Sequence, residues 1–254
     1  MGCISEGFGN ALRSRIEDTV RLCDKRGAPC FLGFLDLREQ AEAQGILRSL
    51  VTDEQIVFFG GYPDAERTVL SVSPPYYRAE ESDFPLRTVA FRYRTQKKLT
   101  HRDVLGTLMS LGIRRDAVGD ILCGDGISVT FLREEIAAYA CEQVDRIGGE
   151  GVTIIADYDG ELPISIEYES RHETIASARL DSVIKALIRV SREQAAELIR
   201  IGAVSLNHQC VDSVPKSISG GDVLSVRGYG RYYIDQIGPV TKKGRLALYA
   251  RRRL

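Results

Sequence analysis

Helical and strand-like hydrophobic patterns alternate at the start of the chain. Apolar residues recur at nearly helical spacing over 12–23, which predicts an amphipathic helix. Asp36 can cap a second helix, because its carboxylate accepts hydrogen bonds from the free N–H groups of a first turn. The apolar run at 56–59 predicts a buried strand, and the run at 68–72 predicts its antiparallel neighbour. We therefore expect an N-terminal α/β domain over residues 1–84.

The next segment has the order β-α-β-β-α-β. Thr100 is expected to cap its first helix, and Gly148-Gly149 to stop its second helix, predicted over 134–147. This order is the ferredoxin-like arrangement, which many RNA-recognition domains and many enzymes share, so the fold alone does not give the function. We expect this central domain over 85–170, with polar and irregular chain over 157–178 apart from an alternating stretch at 164–168. Its strands are predicted at 88–94, 120–123, 127–131 and 152–156.

The pattern that follows predicts two short helices packed on a small sheet. Apolar residues from Leu180 to Ile188 fall on one helical face. Ser191 and Gln194 have the spacing of a capping box, which predicts the start of a second helix. Short strands are predicted at 204–206 and 223–227.

We assign this pattern to a third domain over 174–240, so that the whole chain has an α+β fold. A basic segment over 241–254 remains, with six cations and no acid after Pro239. Two interpretations of it stay open. It is either a solvated tail, on which Arg251 moves freely, or an additional contact for phosphate groups.

The net charge of −1 hides a split between two parts of the chain. Residues 171–254 carry 15 Lys and Arg against 7 Asp and Glu, a net charge of +8. Residues 1–170 carry 19 basic against 28 acidic side chains, a net charge of −9. Such asymmetry indicates a basic module that meets a polyanion, with nucleic acid as the first candidate. We expect no membrane partner, because no long apolar run and no basic amphipathic helix with large apolar anchors occurs.

The cysteines and histidines indicate no metal or redox chemistry. The six cysteines contain no C-x-x-C pair, and the three histidines lie far apart. A chain of this length can build a core without disulfides. We therefore expect a reduced, cytoplasmic monomer without a metal ion or cofactor.

The cations of the third domain avoid the apolar helix faces and form the first candidate site. An arginine can fork onto phosphate oxygens, and the start of a helix adds free N–H groups and the positive end of its dipole. Ser191 and Arg192 stand at such a start, so they are the strongest phosphate-binding candidates. A solvated charged surface is the alternative interpretation. The outward-facing cations are Arg179, Lys185, Arg189, Arg192, Arg200 and Lys216.

The segment from Arg179 to Arg227 resembles the RNA-binding domain named for small-subunit ribosomal protein S-four. This resemblance implies RNA binding and adds Asp181 and Asn207 to the candidate RNA-binding residues. His208 departs from the family pattern, which commonly has glycine at that position. The matching features are Arg179-Leu180-Asp181, Ser191-Arg192, Leu198-Ile199, Gly202, Val204, Asn207, Lys216 and Gly221-Asp222.

Other segments are similar to the YlmH-type bacterial RNA-binding proteins. They are Gly60-Gly61-Tyr62, Ala65-Glu66-Arg67 and the run over 101–122. With them the resemblance covers nearly the whole chain. It implies a non-enzymatic factor that binds ribosomal RNA of the large ribosomal subunit, with tRNA as a further partner. It also implies a role in the rescue of stalled nascent chain–tRNA complexes and a link to cell division.

A second group of cations precedes the first helix of the central domain. Residues 87–102 contain six cations and no acid. Phe91 and Tyr93 alternate with Arg92 and Arg94, so one pair is expected to face the core and the other the solvent. A second RNA contact and a solvated surface are both open interpretations. The candidate second patch comprises Arg92, Arg94, Lys97, Lys98, His101 and Arg102.

Two motifs resemble catalytic sequences. His101-Arg102-Asp103 imitates the kinase catalytic loop, but Leu108 stands where that loop needs an asparagine, so we interpret the triplet as a helix start. Arg179-Leu180-Asp181 resembles the catalytic triplet of pseudouridine synthases. An RNA-modifying enzyme of that kind is the alternative function, although here the triplet opens the small domain itself. We expect no catalytic residues.

Overall fold

The computed structural model describes residues 6–94, 98–164, 168–241 and 244–253. The chain divides into two compact units, one within Ile4–Ser165 and the other within Ile166–Leu254. Each unit has its own buried apolar core.

The N-terminal part of the first unit packs two helices on a three-stranded antiparallel sheet of order β1-β3-β2. Strands β2 and β3 pair as the sequence predicts. The cap at Asp36 is also confirmed, because its Oδ1 accepts hydrogen bonds from the backbone N–H groups of Arg38 and Glu39. The elements are α1 (Glu6–Arg26), β1 (Cys30–Leu35), α2 (Leu37–Leu47), β2 (Ile56–Phe59) and β3 (Thr68–Val72).

The central part of the same unit is a four-stranded antiparallel sheet of order β5-β6-β4-β9. Its main elements confirm the predicted β-α-β-β-α-β order. They are β4 (Leu86–Arg92), α3 (His101–Ser110), β5 (Val118–Cys123), β6 (Ile127–Arg133), α4 (Glu134–Gln143), the short strands β7 (Arg146–Ile147) and β8 (Glu150–Gly151), and β9 (Thr153–Ile155).

The second helix of the central domain is shorter than predicted. The sequence predicts it over 134–147, whereas α4 ends at Gln143. The following residues form the hairpin of β7 and β8, in which Ile147 pairs with Glu150. Gly148 and Gly149 have φ values of +55° and +85°, the left-handed conformation that both central residues of a type I′ turn require. The glycine pair is therefore a hairpin turn and not a helix stop.

Both faces of the central sheet carry buried apolar side chains. Val89 and Phe91 point to the side of α3 and α4. The opposite face packs against the N-terminal part, where Phe131 of β6 stacks on the ring of Tyr62 with centroids 5.1 Å apart. Many RNA-recognition domains stack bases on an open sheet face. The N-terminal part occupies that face here.

Two segments that carry the YlmH-type resemblance join the N-terminal part to this sheet. The carboxylate of Asp120 in β5 accepts hydrogen bonds from the Tyr62 hydroxyl at 2.8 Å and from the backbone N–H of Glu66 at 2.7 Å. The guanidinium of Arg67 donates to the carbonyl oxygens of Phe34 and Val118. These residues therefore have a structural role between the two parts.

The second unit packs two helices on one face of a six-stranded antiparallel sheet of order β10-β15-β14-β13-β11-β12. The two predicted helices and the two predicted short strands are confirmed. The elements are β10 (Tyr168–Ile175), α5 (Leu180–Ile188), α6 (Arg192–Arg200), β11 (Val204–Leu206), β12 (Gln209–Cys210), β13 (Val223–Val226), β14 (Gly230–Val240) and β15 (Leu246–Arg253).

Two of these strands correct the sequence analysis. Strand β10 lies in the segment expected to be irregular, and β15 lies in the segment for which a solvated tail was one interpretation. Strand β15 runs between β10 and β14, so Arg251 belongs to a paired strand and not to a mobile tail. Lys242 and Lys243 lie outside the described residues.

Candidate nucleic-acid interface

A buried carboxylate organises the starts of α5 and α6. Asp181, in the first turn of α5, is 2% exposed. Its Oδ1 accepts a hydrogen bond from Nε of Arg179 at 3.1 Å, and its Oδ2 accepts one from Nε of Arg192 at 2.7 Å. The backbone N–H of Ser182 donates to Oδ1 at 3.0 Å. One carboxylate thus fixes two arginines from two different helix starts.

Asp181 stays ionised in this arrangement. Burial by itself would raise the pKa of its carboxyl, but the hydrogen bonds from Arg179 and Arg192 and their positive charges outweigh burial and lower that pKa. The three charged groups therefore keep a net charge of about +1 at neutral pH. This charge is held on two oriented guanidinium groups, which suits a phosphate.

Arg192 combines this anchoring with exposure. Its side chain is 60% exposed although its Nε is bound to Asp181. Ser191 caps α6, because its Oγ accepts a hydrogen bond from the backbone N–H of Gln194 at 3.1 Å. The predicted capping box is confirmed, so the Ser191 hydroxyl is already engaged in capping α6.

Lys216 belongs to the same region as the two arginines. Its carbonyl oxygen accepts a hydrogen bond from the backbone N–H of Leu180 at 2.8 Å, and Arg179 forms a β-bridge with Ser217. Lys216 is exposed. We call Arg179, Asp181, Arg192 and Lys216 the helix-start cluster.

Lys185 and Arg189 lie further along α5. Both are exposed, and their spacing of four residues places them on one side of the helix. Arg189 ends the helix with a φ of +57°, and its guanidinium lies 3.7 Å from the carboxylate of Glu173. These two cations extend the positive surface along α5.

Two predicted residues do not join the cluster. Arg200 lies at the other end of α6, about 12 Å away by helix rise, where its guanidinium is 3.5 Å from the carboxylate of Glu197. The side chain of Asn207 is engaged at the start of β13, since it donates to Asp222 and accepts from the backbone N–H of Val223. Asn207 and His208 have φ values of +49° and +66°, as in a type I′ turn.

The described residues of the second predicted patch lie near the end of β4 and around the start of α3. Phe91 and Tyr93 are buried while Arg92 and Arg94 are exposed, so the predicted alternation is confirmed. Lys98 lies 3.5 Å from the carboxylate of Asp125. Arg102 is exposed at the start of α3, and Lys97 lies outside the described residues.

His101 adds no charge to this patch at neutral pH. Its pKa lies below the ordinary value, first because of partial burial and then because of the nearby charges of Arg115 and Arg67. The triplet that starts at His101 forms the first turn of α3, where Asp103 and Thr100 complete the predicted capping box. The interpretation as a helix start is confirmed.

Two protein-family models match the chain. Residues 79–158 match the model described as "Putative RNA-binding domain in YlmH", and residues 178–224 match the S4 domain. The chain is also 34% identical over 216 residues to "Ribosome-associated protein quality control protein P2" of Bacillus subtilis (strain 168), a match that covers 83% of this chain and 82% of that protein. The chain belongs to the YlmH family.

The solved structure of "Cell division protein ylmH from Streptococcus pneumoniae" resembles this YlmH-family protein with a TM-score of 0.51. The match covers 61% of this chain and 94% of that chain at 15% sequence identity, so the likeness concerns the fold. The α+β fold and the S-four-like domain expected from the sequence are confirmed.

The helix-start cluster of this YlmH-family protein lies within the matched S4 segment. Strands β10, β14 and β15 lie outside it, as extensions of the sheet. In the described ranges, no helix combines the length and apolar character needed to cross a membrane. Those ranges also contain no group of three or more His, Cys, Asp or Glu side chains that could hold a metal ion.

Proposed function

We propose that this YlmH-family protein binds RNA through the helix-start cluster. The observation that carries the proposal is the buried Asp181, which fixes the half-buried Arg179 and the exposed Arg192 by hydrogen bonds of 3.1 and 2.7 Å. Orienting two guanidinium groups in advance lowers the entropy lost when a phosphate binds. Lys216 adds charge beside α5 and Lys185 adds charge one turn along that helix, and Asp181 acts as a positioning residue.

The ligand of this cluster is structured RNA. Arginines that are fixed at one surface match phosphates at fixed spacing, and side chains cannot enter the deep major groove of an A-form helix. The cluster therefore recognises the shape of the RNA backbone rather than the base sequence. The exposed cations around Arg92 and Arg102 provide a second RNA contact.

The RNA that we propose is ribosomal RNA of the large subunit. The protein then acts in the quality control of stalled nascent chain–tRNA complexes, with tRNA as a second RNA partner. The printed name of the Bacillus subtilis relative supports this role, as do the two matched RNA-binding domain families. Such a protein works as a cytoplasmic monomer. The likeness to the streptococcal cell division protein is one of fold and does not bear on a role in cell division.

The proposed function is non-enzymatic. A pseudouridine synthase uses the aspartate of its Arg-Leu-Asp triplet on the target base, so that carboxylate has to reach the RNA. Asp181 is buried, and both of its oxygens accept hydrogen bonds from arginines. This arrangement suits a structural carboxylate and disfavours the RNA-modifying alternative.

RNA affinity is expected to depend steeply on salt. If about 4–6 phosphates are neutralised, the logarithm of the binding constant falls against the logarithm of the salt concentration with a slope of about −3 to −5. The measurement is a titration of the full-length protein with a ribosomal RNA hairpin at several salt concentrations. A flat salt response would contradict phosphate binding by the basic unit.

A further inference from the structure

The six-stranded sheet of the second unit has an outer face, on the side opposite to α5 and α6 and to the helix-start cluster. Buried residues such as Ala250 and Leu248 of β15 face the helices. The residues that alternate with them, Tyr249 and Arg251, are exposed. We call the outer side of β10, β15 and β14 the outer sheet face.

Aromatic side chains meet on this outer sheet face. Residues opposite each other on antiparallel strands share a face, and His172 of β10 is opposite Tyr249 of β15. Their rings lie 5.1 Å apart at 68°. Tyr168 of β10 and Tyr233 of β14 form a second pair, 5.6 Å apart at 84°. Tyr168 is 41% exposed and Tyr249 is 37% exposed.

Arg251 lies between the two aromatic pairs. It is opposite Ser170 on one neighbouring strand and opposite Tyr233 on the other. Its guanidinium lies 5.1 Å from the centroid of the Tyr168 ring, and its Nε donates to the carboxylate of Asp235 at 2.9 Å. The cation is thus held beside the aromatic rings of this face, and a guanidinium can stack on a planar group.

The charge of the outer sheet face is positive. Arg253 is opposite Tyr168, and Arg231 is opposite Ser225, which places both on the same side as Arg251. Asp235 forms an ion pair with Arg251. Positive charge next to exposed aromatic rings is complementary to a chain that carries both phosphates and flat bases.

We propose that the outer sheet face binds single-stranded RNA. Unpaired bases stack on Tyr249 with His172 and on Tyr168 with Tyr233, and the phosphates between them contact Arg251 and Arg253. The two pairs are about 13 Å apart along β10, by strand rise, so they hold bases that are not adjacent. Bases of a duplex are stacked on each other and cannot reach these rings, which makes an unpaired segment the ligand.

This inference rests on the proposed function, since both concern RNA, but it uses the opposite side of the sheet and a different chemistry. The helix-start cluster binds the backbone of structured RNA. The outer sheet face binds bases that the same RNA leaves unpaired. An RNA with a stem and an unpaired tail would engage both surfaces.

The test uses the full-length protein and a short unpaired oligoadenylate that contains 2-aminopurine, a base whose fluorescence is quenched by stacking. Tyr249→Ala is expected to weaken oligoadenylate binding about five- to hundredfold and to remove the quenching. Tyr249→Phe keeps the ring and is expected to behave as the wild type. Tyr76→Ala is the matched control, because Tyr76 is a 77% exposed tyrosine of the other unit.

A ribosomal RNA hairpin without unpaired ends is measured in parallel. It should bind Tyr249→Ala as it binds the wild type, which also shows that the variant is folded. Tyr168→Ala provides a second variant on the edge strand, with the same expected loss for oligoadenylate.

The outcomes separate the two proposals. If the wild type binds the hairpin but Tyr249→Ala and Tyr168→Ala bind oligoadenylate as the wild type does, the inference about the outer sheet face is overturned and the proposed function stands. If the wild type binds neither RNA, the proposed function fails. Equal binding of oligoglutamate and oligoadenylate, with the same loss in Tyr249→Ala, would also overturn the inference, because it would indicate a protein-binding surface.

Discussion

Arg192→Ala is expected to weaken RNA binding about ten- to hundredfold, whereas Arg200→Ala is expected to change it less than about threefold. The two arginines make a matched pair, because both belong to α6, both lose one charge on substitution, and both side chains are 60% exposed. They differ in position. Arg192 is held by the buried Asp181 beside the first turn of the helix, while Arg200 lies at the far end next to Glu197.

The measurement is the fluorescence anisotropy of one labelled ribosomal RNA hairpin at one stated salt concentration. Thermal unfolding of each variant controls for the fold, since Asp181 keeps its bond to Arg179 when Arg192 is removed. A purely diffuse positive field would treat the two substitutions alike. Equal losses would therefore show that the helix-start cluster is not a binding site.

Gly61→Ala is expected to lower the free energy of unfolding of the first unit by about 3–4 kcal/mol. Gly61 has a φ of +98°, which a residue with a Cβ rarely adopts. A Cβ at this position would overlap Cδ1 of Phe131 and lie 2.6 Å from its Cε1. That ring is buried between the central sheet and the N-terminal part, so it has no space into which to move.

Gly106→Ala is the control, and it is expected to raise the free energy of unfolding instead of lowering it. Gly106 lies within α3, and a Cβ built there meets nothing within 4 Å. The same substitution is expected to stabilise the unit by about 0.5–1 kcal/mol, because alanine loses less conformational freedom in a helix than glycine. Urea unfolding of both variants measures the difference. A neutral Gly61→Ala would mean that the N-terminal part does not cover the sheet as described.

Local sequence patterns predicted the elements whose signals lie close together in the chain. Ser191 and Gln194 are three residues apart, and their capping box starts α6 as expected. The strand pair at 56–59 and 68–72 is equally local. Glycines carry a weaker signal, since the left-handed conformation serves both a helix end and a hairpin turn. The prediction of a helix end at Gly148 and Gly149 was therefore wrong, since they form a hairpin turn.

Strands β10 and β15 were not predicted because their inward positions include long charged residues. Glu169, Arg171 and Arg252 face the helix side at one end of the sheet, where Arg171 and Arg252 form ion pairs with Glu169. Such pairs hide the usual alternation of apolar and polar residues. The pairing of β10 with β15 also joins residues about 80 positions apart, which no local pattern reveals.

The candidate site was predicted in part. Sequence placed Arg179, Ser191 and Arg192 at helix starts, but it did not show that Asp181 would be buried between two arginines. That arrangement depends on the packing of α5 against α6. The folded unit likewise determines that Asn207 contacts Asp222 and Val223, and that Arg200 lies at the end of α6 opposite to Arg192.

Sedimentation of the full-length protein through a sucrose gradient with separated ribosomal subunits tests the central claim most directly. The wild type and Arg200→Ala are expected to travel with the large subunit at moderate salt, and Arg192→Ala is expected to remain near the top of the gradient. A wild-type protein that stays at the top, or an Arg192→Ala protein that travels with the large subunit as the wild type does, would contradict ribosomal RNA binding through the helix-start cluster.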